Sequence, residues 1–96
     1  MYRDDPLDDE LELRAIVGDD PVDRLVAAPE GPGRTPLEVA LDVLRVLQGW
    51  VDEDAAGRWF ITAQRRLDGR DPVAALVAGD LEEVEDAARA WAAANG

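Results

Sequence analysis

Cysteine, histidine, serine and lysine are all absent from this chain of 96 residues. Their absence removes disulfides, thiolate and imidazole chemistry, cysteine- or histidine-bound metals and the commonest catalytic nucleophiles. Carboxylates, arginines, Tyr2, Thr35 and Thr62 are the reactive groups that remain. The composition predicts a protein that is not an enzyme, holds no metal or cofactor and works by binding.

Long apolar runs are missing too. The longest, residues 73 to 78, is six residues, whereas a membrane span needs roughly 20. The opening Met1-Tyr2-Arg3-Asp4-Asp5 has no basic and then apolar character, so no signal segment is expected. A cytoplasmic protein without a membrane partner is the expectation.

Cations are scarce: ten arginines stand against 22 acids, a net charge of −12. A polyanion is repelled by such a surface, because binding one requires cations that displace its condensed counterions. Nucleic acid is therefore a poor candidate partner. The imbalance is uneven, with three arginines and ten acids in residues 1 to 30 but five of each in residues 31 to 66.

What is present reads as helix, without any alternating pattern of a strand. Leu7, Leu11, Ile16 and Val17 match a helical stripe only loosely. Asp20-Pro21 looks like a cap and first turn, and Val22, Leu25 and Val26 then predict two turns that stop at Pro29. Residues 29 to 34, PEGPGR, read as a linker. Thr35, Pro36 and Glu38 form a capping box with proline at the first helical position. Leu37, Ala40, Leu41, Leu44, Leu47 and Val51 supply that helix with a buried stripe.

Asp52, Glu53 and Asp54 open a further helix to about Ile61, and residues 62 to 70 read as a loop with a turn at Asp68-Gly69. Asp71-Pro72 starts a short helix ended by Gly79. Asp80 is then expected to cap a last helix striped with Leu81, Val84, Ala87, Ala88 and Trp91. The result is an all-α fold, a small orthogonal or bundle-like domain of five to six short helices. Residues 1–34 form an acidic helical segment and linker, and residues 35–96 a helical domain. A chain this short has a thin core, so a homo- or hetero-oligomer is expected.

The acid pairs Asp4-Asp5, Asp8-Asp9, Asp19-Asp20 and Glu82-Glu83 read as solvated faces and caps, since adjacent helical residues point apart. The run from Asp52 to Gly57 matches a calcium loop at positions 1, 3 and 6, but Ala56 and Ala63 stand where ligands 5 and 12 are needed. Arg58, Arg65, Arg66 and Arg70 make a basic cluster around Trp59 and Phe60. Local ion pairs or an acidic patch of a partner suit it better than nucleic acid. Trp59 and Phe60 lie about 100° apart on one helix, so core and interface roles are both open, with one ring expected at a rim.

The ordered set Trp59, Phe60, Leu67, Gly69, Pro72, Leu76 and Gly79, followed by Asp80-Leu81-Glu82-Glu83-Val84 and an alanine-rich last helix, resembles the toxin-binding domain of the Xre/MbcA/ParS antitoxin family. The likeness covers residues 36 to 96. It implies a bacterial type II antitoxin that neutralises a RES-type, NAD-consuming toxin by obstructing its active site. Arg89, Trp91, Asn95 and Gly96 would then contact the toxin, and the seven motif residues would hold the domain's shape. Members usually carry a helix-turn-helix unit first, and the acidic residues before position 36 are too few for one. A DNA-binding regulator with a degenerate helix-turn-helix is the alternative reading.

Overall fold

The computed structural model describes residues 6–28 and 33–95, with side chains from residue 9 onward. Among these, six α-helices and one 3-10 turn follow in order: α1 (Pro6–Val17), α2 (Asp19–Ala27), α3 (Pro36–Gln48), α4 (Glu53–Phe60), the turn Arg65–Leu67, α5 (Pro72–Val77) and α6 (Leu81–Asn95). The described fold is all-α, as the helical spacing and caps predict. Its Cα radius of gyration is 12.5 Å, close to the ~13 Å expected of a compact chain of this length.

Three of the expected caps form. Thr35 Oγ1 accepts from the Glu38 amide at 3.1 Å while the Glu38 carboxylate accepts from the Thr35 amide at 3.0 Å. Asp52 accepts from the Ala55 amide and Asp71 from the Ala74 amide, each at 2.8 Å. In each case a side chain satisfies an amide that has no intrahelical partner.

Two other helix starts differ from expectation. α2 begins at Asp19 with Gly18 as its cap residue, so Asp20 and Pro21 already lie inside it. Pro21 is tolerated there because the first amides of a helix have no acceptor in any case. The Asp80 carboxylate, expected to cap α6, instead accepts from Arg70 Nη1 at 2.7 Å. Its backbone carbonyl still takes the Val84 amide.

The centre of the fold is α3, which packs against each of the other five helices. Its burial is therefore wider than one stripe: Val39 and Val43 are buried with Ala40, Leu44 and Leu47, whereas Leu37, Leu41 and Val51 are only partly covered. Apolar side chains from both sides of the 29 to 34 linker fill one core, Leu13, Val17, Val22 and Leu25 from α1 and α2 among them. Most of that linker lies outside the described residues.

Gly57 makes the approach of α1 to α4 possible. A Cβ at this position would lie 2.3 Å from the Ile16 carbonyl oxygen, so only a residue without a side chain fits. Gly57 thus serves close helix packing, and the acids before it serve the α4 cap. No group of three or more acids among the described residues is placed to hold a metal ion. No described helix is long and apolar enough to cross a membrane.

Candidate functional site: an arginine-flanked cleft beside Trp91

Both rings of the Trp59-Phe60 pair are interior, 2% and 0% exposed, which corrects the expectation that one sits at a rim. They meet edge to face at 5.4 Å and 78°, a favoured arrangement of two ring quadrupoles. The last turn of α4 lies against several elements at once, so directions 100° apart both lead inward. Among the described residues the exposed aromatic is Trp50, at 56% in the turn after α3.

Trp59 also meets Trp91 of α6, with centroids 6.2 Å apart. Trp91 remains half-buried. Its neighbours on the helix, Ala87, Ala90 and Ala94, end at Cβ, so α6 has one large ring standing over a shallow surface. A recess opens on each side of that ring. The first, about 180 Å³, is lined by Ala55, Arg58, Trp59, Thr62, Gln64 and Trp91. The second, about 260 Å³, is lined by Gln64, Arg65, Arg66, Ala87, Ala90, Trp91 and Ala94. Gln64 and Trp91 belong to both, so the two recesses form one cleft with an indole ridge.

The 62 to 70 connection, expected as a loop, winds into the 3-10 turn that brings Arg65 and Arg66 to this cleft. Buried Leu67 anchors it. The Gln64 amide and carbonyl pair with Arg70 and Gly69 at 3.0 Å, closing the turn. Asp68 and Gly69 adopt left-handed backbone, φ 60 and 82, a conformation that Asp tolerates and Gly takes freely.

Two features of the cleft stand out chemically. Arg58, Arg65 and Arg66 form no ion pair among the described residues, whereas Arg70 is held by Asp80. Second, Trp59 Nε1 is buried and has no hydrogen-bond partner. A buried donor left unpaired costs roughly 1 to 3 kcal/mol. The Nε1 atom is closed off from the recess, so the cleft offers positive charge and an aromatic ridge.

The residues expected to touch a toxin do not share one face. Arg89, two positions from Trp91 and thus about 200° around the helix, lines a separate recess of about 240 Å³ with Arg34, Asp42 and Glu85. There Arg34 joins Asp42 of α3 to Glu85 of α6, and the Glu85 pairing keeps the Arg34 guanidinium more firmly protonated than usual. Arg89 is exposed and reaches Asp86 at 3.7 Å. Asn95 is exposed, its side-chain amide donating to the Trp91 carbonyl at 2.9 Å. Gly96 lies outside the described residues. Of the motif residues, Trp59, Phe60, Leu67, Pro72 and Leu76 are buried, and Gly79 turns the chain between α5 and α6 with φ 94.

The cleft residues Gln64, Arg65 and Arg66 were absent from the expected contact set. The basic cluster was visible in the sequence, but its convergence on Trp91 depends on the fold. Compared with known proteins, the chain matches no family model, no curated protein and no solved structure.

Proposed function

We propose that this protein is an antitoxin that acts by docking on a cognate toxin, a RES-type enzyme by the sequence resemblance, and blocking access to its active site. The observation that carries the reading is the cleft: the motif from Trp59 to Gly79 frames a half-buried tryptophan on the last helix, flanked by two recesses. Tryptophan and arginine are the residues most enriched among those that dominate protein interfaces. The lack of cysteine, histidine, serine and lysine agrees with inhibition by contact and no chemistry of its own.

DNA-binding regulation, the alternative, has less behind it. α2 turns Asp19, Asp20 and Asp23 to solvent beside a single exposed arginine, Arg24, a poor surface for phosphates.

Co-expression with the toxin candidate encoded beside it tests the proposal. The expected outcome is co-purification, restored growth and suppressed NAD consumption. A chain that neither captures nor silences that protein overturns the reading.

A further inference from the structure

We infer that the cleft beside Trp91 seats an acidic segment of the partner polypeptide, whose Glu or Asp carboxylates pair with Arg58, Arg65 and Arg66. This rests on the reading that the protein acts by docking on another polypeptide, and it adds the chemistry of the segment that is recognised.

Charge supplies the first argument. In a chain of net charge −12, residues 58 to 70 hold four arginines and one acid. Among the described residues, three of those arginines, Arg58, Arg65 and Arg66, have no carboxylate partner. Elsewhere most described arginines are paired: Arg14 contacts Glu10, Asp19 and Asp23, Arg45 contacts Asp9 and Glu12, and Arg34 contacts Asp42 and Glu85, while Arg24 on α2 stands alone. A patch of uncompensated guanidinium groups is a receiver for carboxylates, which they bind in paired, directional hydrogen bonds.

The aromatic ridge supplies the second argument, independently of charge. Trp91 is half-buried and lines both recesses, so a segment seated between the arginines meets an indole face. Tryptophan and arginine are the side chains most enriched where protein interfaces concentrate their binding energy. A recess of about 180 Å³ has room for a carboxylate-bearing side chain.

The extent of the patch favours a peptide over a nucleic acid. A phosphate backbone carries its charges onward at every nucleotide. Beyond the cleft it would run into Glu53 and Asp54 at the start of α4, or Glu82, Glu83 and Asp86 on α6, all exposed. An acidic peptide can confine its charges to the three arginines.

The three indole N–H resonances of the ¹⁵N-labelled protein provide the test. Trp50 is the internal control, because it lines neither recess. The probes are a short acetylated peptide of alternating Glu and Ala, its Gln-for-Glu counterpart and an oligothymidylate of similar length, at low salt. The Glu peptide is expected to shift the Trp91 indole resonance while leaving Trp50 in place. The Gln peptide should bind at least about tenfold more weakly, as should the Glu peptide to Arg58→Gln/Arg66→Gln, a loss of about 1.4 kcal/mol or more. Trp91→Ala, which removes the ridge, should also bind more weakly. An unmoved Trp91 resonance, equal binding of the Gln peptide, or tighter binding of the oligothymidylate would each overturn the inference. Capture of a toxin whose complex leaves the Trp91 indole unshifted keeps the docking proposal and removes this one. A clear peptide response in a chain that silences no toxin does the reverse.

Discussion

Arginine does opposite things at the two ends of this molecule. On the α1 side it is tied down: Arg45 on α3 reaches Asp9 at 2.7 Å and Glu12 at 3.0 Å. Gln48 adds a 2.8 Å bond to the same Glu12. Arg14 links α1 to the start of α2 through Asp19 and Asp23, with Glu10 one turn before it. In the Trp91 cleft, Arg58, Arg65 and Arg66 have no such partners among the described residues. The acidic N-terminal segment thus spends much of its charge on internal pairing, and three of the four described arginines left without an ion pair gather in the cleft, the fourth being Arg24 on α2. Net charge alone would have hidden this division.

The contrast can be broken most severely where α1 meets α4. Gly57→Ala puts a methyl group against the Ile16 carbonyl and forces the helices apart. Overpacking of this kind costs roughly 1 to 3 kcal/mol, against the gain of about 1 kcal/mol that alanine ordinarily has over glycine in a helix. The close backbone contact decides the sign, and urea denaturation should show a net loss of up to about 2 kcal/mol. An unchanged or higher midpoint would show that α1 yields freely.

Arg45→Ala removes the clamp between α1 and α3. Its side chain is 44% exposed, so solvent screening limits the loss to about 1 kcal/mol. The difference from wild type should shrink as salt is raised. A loss that ignores salt would mean that packing of the arginine stem dominates.

The Glu12 carboxyl sharpens the same point through pH. The Gln48 amide and the Arg45 guanidinium hold it below the ordinary glutamate range, with partial burial opposing them. A depressed folded-state pKa adds stability at neutral pH that is lost as pH falls through that lowered value, below the unfolded value of about 4.3. Glu12→Gln should therefore be less stable at pH 7 by under about 1 kcal/mol, and the gap should close in acid. Thermal melts at both pH values check this. A gap that persists in acid points to geometry, not charge.

The smallest effect belongs to the cleft. Arg65→Ala and Arg66→Ala break no internal ion pair, so each should leave stability within about 0.5 kcal/mol of wild type. A larger drop in melting temperature would show that these side chains support the fold and are not held in reserve for a partner.

Much of the fold was legible locally. Thr35, Asp52 and Asp71 announced three helix starts, because a capping side chain and the amides it serves lie within a few residues. Asp20 and Asp80 carried the same signal and misled, one by two positions and the other through capture by Arg70, ten residues away in sequence. The stripe on α3 was read too narrowly, since periodicity assumes one buried face and cannot count the neighbours a central helix will have. The site was legible only as a list. Trp91 and the basic cluster could both be named, yet nothing in their spacing joined them, and Arg89 was grouped with a tryptophan whose ring faces the other way.

By itself, then, the chain determined its helical class, most helix starts, the absence of cysteine, histidine, serine and lysine and the acidity of its first third. These follow from propensity, capping and composition, which act over a few residues or over none. Tertiary structure alone decided that Trp59 and Phe60 both turn inward, that Gly57 lets two helices touch, and that three arginines flank one indole. Those outcomes depend on contacts between residues far apart in sequence, set by how six short helices share a core that none of them could form alone.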